Sequence, residues 1–80
     1  MPRFFFHRTD GGFDPDTEGT ELPDLTTARI EAVRFAGATL QERPDYVWDG
    51  RDLRIEVTDE AGKLFCTVIV LGIDAQMTRG

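Results

Sequence analysis

One stretch constrains this fold more than any other: Asp24 to Arg43, the only segment with sustained helical periodicity. Asp24 suits an N-cap, because its carboxylate can accept from the unpaired amides of the first turn and meets the positive end of the dipole. Arg43 and Pro44 mark the far end, since a cation suits the last turn and a proline cannot continue the ladder. At 100° per residue, Leu25, Ala28, Ala32, Val33, Phe35, Ala36, Thr39 and Leu40 share one arc, with Thr27, Glu31, Arg34, Ala38 and Gln41 opposite. Alanines in that arc let the helix approach its support closely. Burying one arc does not offset the ordering of the whole segment, so the helix needs a sheet.

The flanking sequence supplies strands. Arg3 to Arg8 is aromatic-rich, with Phe4 and Phe6 on one face and Phe5 and His7 on the other. Asp10-Gly11-Gly12 is turn chemistry, and Phe13 to Leu22 returns raggedly, interrupted by Pro15 and Gly19, as a short irregular edge strand. Beyond the helix, Asp45 to Gly50 is an aromatic loop closed by Asp-Gly. Leu53, Ile55 and Val57 alternate with Arg54, Glu56 and Thr58, which predicts a half-buried strand. Asp59 to Gly62 makes a hairpin connection. Leu64 to Leu71 is apolar on both faces, with Phe65, Ile69 and Leu71 on one and Leu64, Cys66, Val68 and Val70 on the other. That pattern belongs to a central strand or to a two-sided interface.

The expected fold is α+β: β-β-α-β-β, a four-stranded antiparallel sheet with one helix packed on one face. The expected domain spans residues 1–72, followed by a flexible tail over 73–80. No internal repeat, low-complexity segment or linker interrupts it. Eighty residues make one small domain, and a lone Cys66 excludes an intrachain disulfide framework and a multi-cysteine zinc site. A net charge of −6 argues against a phosphate backbone and an anionic membrane surface as partners. The N-terminus carries three apolar residues in a row, short of a signal peptide's core, and no run approaches a membrane span. A cytoplasmic location is expected.

Four ordered blocks carry a likeness to known sequences: Met1 to His7, Asp16 to Asp24, Ala28 to Val33 and Glu56 to Gly62. Together they resemble a family of short alphaproteobacterial proteins known only as a domain of unknown function. The resemblance runs from residue 1 to about 70, and the aromatic stretch Asp45–Trp48 departs from it. It implies a bacterial cytoplasmic protein and brings no catalytic residue. A weaker similarity, confined to Thr20–Leu40, is to HicB-like antitoxin domains. The basic DNA-binding appendage common in that group is absent, which argues against a repressor role.

Candidate chemistry is sparse. Asp14, Asp16 and Glu18, followed by Gly19, copy the first half of an EF-hand loop, but Leu25 stands where the bidentate Glu belongs. The bland reading is a solvated acidic turn, so no divalent cation or other cofactor is expected. His7 and Cys66, each the only residue of its type, would need to meet on one face to form a nucleophile pair. Arg29 falls inside the apolar arc without a carboxylate three or four residues away, so its head must reach elsewhere in the fold or a partner. Tyr46 and Trp48 are either interface anchors or a lid over the helix end.

With one helix covering one sheet face, Phe5 or Phe4 and Phe6, whichever set it does not cover, should be left bare with one side of Leu64–Leu71, a surface that calls for a partner. The expectation is therefore a non-catalytic protein-interaction or self-assembly domain, a homo-oligomer or partner-bound protein, with Phe5, Tyr46, Trp48 and Arg29 as candidate contacts. The alternative is an antitoxin-like or regulatory protein whose acidic surface neutralises a basic partner. No enzymatic activity is expected.

Overall fold

The computed structural model describes residues 2–75. Strand β1 (Arg3–Thr9) is followed by two short strands, β2 (Phe13–Asp14) and β3 (Thr20–Glu21), then helix α1 (Leu25–Glu42). A single 3-10 turn, Tyr46–Asp49, leads into β4 (Asp52–Thr58) and β5 (Leu64–Leu71). The sheet is antiparallel in the order β2-β1-β4-β5, and β3 also pairs with β1. This is the α+β layout expected, except that the ragged return strand is broken in two. It pairs at both ends of β1 and bows away in the middle, where Pro15 cannot donate to a ladder.

The helix begins and ends where its caps dictate. The Asp24 carboxylate accepts from the Thr27 amide at 2.8 Å and from the Thr27 hydroxyl at 2.7 Å. The Arg43 amide donates to the Thr39 carbonyl at 3.1 Å. Ala28, Ala32 and Ala36 are buried against Leu53, Ile55 and Val57 of β4, all fully enclosed, and Phe4 closes the same core. The buried Thr39 hydroxyl is satisfied by the Phe35 carbonyl at 3.0 Å. Leu25, Phe35 and Leu40 pack at the margins, but Val33 is 59 % exposed. The arc is narrower than the wheel suggests, because alanine seats the helix on a single stripe.

The expectation of a central place for Leu64–Leu71 is corrected. Among the described residues, β4 is flanked by β1 and β5, while β5 has a neighbour on one side only and forms the sheet's edge. The reason is connectivity: the chain immediately after β1 folds back onto β1's outer side, so the remaining open edge falls to β5. A bulge between Val57 and Thr58 also reassigns its first residues, since Thr58 pairs with Leu64 and Val57 with Cys66. Leu64 thus joins the open face, while the Phe65 ring turns edge-on to Phe4, centroids 5.6 Å apart. Gly72–Ala75 carry no regular structure, and the rest of the expected tail, residues 76–80, lies outside the described residues.

Candidate functional site

Asp16 organises the open side of β1. One carboxylate oxygen accepts from the Phe6 amide at 3.1 Å; the other accepts from the amides of Glu18 and Gly19, both at 3.0 Å. A side chain thereby fills the gap that the broken strand leaves in the β1 ladder. Burial raises the Asp16 pKa, but the amides of Gly19, Phe6 and Glu18, helped by His7, outweigh it and hold the carboxyl below its ordinary value of 3.8.

The Asp16 amide in turn donates to His7 Nδ1 at 3.1 Å, so that nitrogen is an acceptor. In the neutral ring the hydrogen therefore sits on Nε2, which donates to Thr58 Oγ1 at 3.0 Å, whose hydroxyl donates to the Asp59 carbonyl at 3.0 Å. This relay ties the 14–19 segment across β1 to the end of β4. Gly19 lets the segment close down: its φ is +73°, and a Cβ there would stand 2.8 Å from Arg3 Cγ and 2.9 Å from the Phe5 ring.

Between this segment and α1 lies an open groove of about 540 Å³, with Phe6, Leu22 and Phe35 in its floor and Asp14, Asp16 and Glu31 at its rim. Each of those carboxylates is engaged. Asp14 pairs with Arg8 at 2.8 Å, Asp16 holds its three amides, and Glu31 lies 3.6 Å from Arg34. The Arg8 guanidinium also reaches Asp10 at 3.4 Å, and Asp10 meets Arg43 at 3.3 Å, so the turn after β1 is laced to the helix end.

Two of the three acids in the EF-hand-like spacing are engaged within the chain. Asp14 turns to Arg8, Asp16 to backbone amides, and the Glu18 carbonyl accepts from Arg3 at 2.8 Å. Among the described residues, no group of three His, Cys, Asp or Glu is placed to hold a metal ion. His7 and Cys66 are likewise kept apart. Cys66 pairs with Val57 and packs on the helix side, whereas His7, opposite Glu56, lies on the other face.

Two of the candidate contacts, Phe5 and Tyr46, are buried within the chain. Phe5 is 9 % exposed, covered by the turn at Gly19 and stacked beside His7 with centroids 6.5 Å apart. Tyr46 is buried too, its ring between the guanidinium groups of Arg43 at 4.8 Å and Arg51 at 5.2 Å, so it acts as the lid over the helix end. Trp48 stays 54 % exposed with its ring laid on Gly72, where a Cβ would come within 2.8 Å. Arg29 is exposed on the helix flank, and no carboxylate among the described residues pairs with it.

Phe13, Ile30, Val33 and Trp48 are exposed singly, but β5 gathers exposed apolar side chains along one strand. Ile69 and Leu71 are 50 % and 61 % exposed, and Leu64, Phe65 and the adjoining Ile73 are exposed beside them. The open face of β4 is polar by contrast, with Arg54, Glu56 and Thr58. The bare apolar surface is thus a strip along one edge rather than a whole sheet face. Sequence pattern flagged the strand, through its apolar residues on both faces, without locating it at the edge.

Residues 3–72 match the model of one protein family, described as Domain of unknown function (DUF6894), and the chain belongs to that family. No curated protein and no solved structure matches the chain. No helix among the described residues is long and apolar enough to cross a membrane.

Proposed function

We propose that this member of the DUF6894 family is a small non-catalytic interaction domain that works by strand addition at the free edge of β5. The observation that carries the reading is the composition of that edge. Edge strands of self-contained proteins are shortened or carry charges and prolines that prevent pairing. β5 is eight residues long, the longest strand in the sheet, and contains neither a charged residue nor a proline. Its outer amides and carbonyls, without a strand partner among the described residues, face outward beside exposed Leu64, Ile69 and Leu71.

The reading is tested with a fluorescein-labelled peptide carrying Leu64–Leu71 between terminal lysines, titrated with the protein and followed by anisotropy. Saturable binding is expected, lost when a central proline interrupts the peptide. It should weaken sharply for the protein carrying Ile69→Lys and Leu71→Lys, whose exposed positions leave the core intact. A flat anisotropy trace, or equal binding by the doubly substituted protein, would overturn the proposal.

A further inference from the structure

The occupant of the edge follows from the same strand, and this inference rests on the strand-addition reading. We infer that a second copy of the chain adds its own β5, antiparallel, about a two-fold axis that stands perpendicular to the sheet, midway between the two copies of Val68.

Charge selects the occupant. The chain carries a net charge of −6, so most approaches of two copies bring acids together. The 64–71 strand is the exception, with no charged residue along its length. Two copies can meet there without repulsion, while a basic partner would find nothing on this strand to pair with.

The flank of α1 extends the surface. Glu31 and Phe35 line the groove on the β1 side. At 100° per residue, Arg29 and Val33 therefore lie on the opposite flank, above β5. Val33 sits near the middle of α1, as Val68 does in β5. The two-fold operation brings both exposed Val33 side chains toward the axis and adds helix flank to strand edge, which serves the roughly 800 Å² per partner that a specific interface needs.

Parity then fixes the register. Directly opposed residues of an antiparallel pair share a face. Cys66, Val68 and Val70 pack on the helix side and Thr67, Ile69 and Leu71 on the open side. Opposed positions must therefore both be even or both be odd, which places the axis level with a residue and never between two. The midpoint of β5 lies between Thr67 and Val68, and the bulge at the strand's beginning spoils pairing there, which favours the later position. With the axis at Val68, Thr67 faces Ile69 of the second copy. Cys66 faces Val70 and stands too far along the strand from its own counterpart to bridge.

Disulfide trapping reads this register. Thr67→Cys and Ile69→Cys are made separately in a Cys66→Ser background, at positions exposed on the open face, with one protein carrying a size tag. Opposed residues lie about 4.5–5.5 Å apart between Cα atoms, inside disulfide range, whereas like residues at either position would be about 8 Å apart. Mild oxidation is expected to yield a mixed disulfide when the two proteins are combined and little when either is oxidised alone. Efficient bridging by Thr67→Cys or Ile69→Cys alone would overturn the Val68 axis. No bridging in any combination would overturn the β5–β5 pairing itself, whether the protein then sediments as a monomer or as a dimer built elsewhere. In each of those cases peptide binding by the unsubstituted protein would still uphold strand addition, and its absence would remove that reading too.

Discussion

Replacing Asp16 by asparagine looks conservative and should not be. Both carboxylate oxygens accept from N–H groups, one from Phe6 and the other from Glu18 and Gly19. An asparagine offers one acceptor, so its NH₂ must face an N–H whichever way the amide is turned. The better orientation keeps Glu18 and Gly19 and orphans the part-buried Phe6 amide, at a cost of about 1–3 kcal/mol, while the two retained bonds lose their charge-assisted component. Discounted for the partial exposure of the site, the sum is about 2 kcal/mol. In a domain of this size that lowers Tm by roughly 8–16 °C. Urea and thermal unfolding followed by far-UV circular dichroism measure it. The pH dependence adds a second test with a defined sign. The Asp16 carboxyl is held below 3.8, so its contribution is complete above that pH and is lost as pH falls through the depressed folded value. The gap between wild type and Asp16→Asn should close in that acid range. A neutral-pH difference below about 0.5 kcal/mol, within the ordinary scatter of surface substitutions, would refute the ladder-filling role.

Two further perturbations probe the packing that positions the edge. Gly19→Ala forces a Cβ into left-handed backbone against Arg3 and the Phe5 ring, and should cost about 2 kcal/mol in urea unfolding, combining conformational and steric terms; an unchanged midpoint would contradict the close approach. Ala32→Leu overfills the fully buried contact between α1 and the sheet and should cost about 1–3 kcal/mol, whereas Val33→Leu, one residue along, should leave monomer stability nearly unchanged; equal losses at both would contradict the narrow alanine stripe.

Much of this fold was legible because local chemistry and global placement agree. Asp24 caps the helix start with its carboxylate as its chemistry requires, and the helix ends ahead of Pro44 with the Arg43 amide, not its cation, closing the last turn. The alternation of Leu53, Ile55 and Val57 with Arg54, Glu56 and Thr58 assigns β4 its two faces. The errors share a physical cause: side-chain character reports how much contact a residue seeks, not which element provides it. Apolarity on both faces of Leu64–Leu71 suggested a central strand, yet strand order is decided by which edge the intervening chain has already occupied. Phe5 reads as a bare aromatic on a one-sided sheet, but the turn from Asp16 to Gly19 folds over it. Acidic spacing at 14–18 reads as a solvated turn, and only the bond from Asp16 to the distant Phe6 amide reveals a structural plug. Val33 fell in the helical arc by angle and outside the core because its alanine neighbours hold the helix too close for a wider contact.

Hydrogen bonding of the outer edge of β5 to a second copy is read out by amide hydrogen exchange across a wide concentration series. Alternate amides of Leu64–Leu71 point away from β4 and have no strand partner among the described residues. Protection at those positions should rise with protein concentration, while amides of β1 and β4 exchange at rates independent of it. Exchange along β5 that stays fast and unchanged over the whole series would contradict the account.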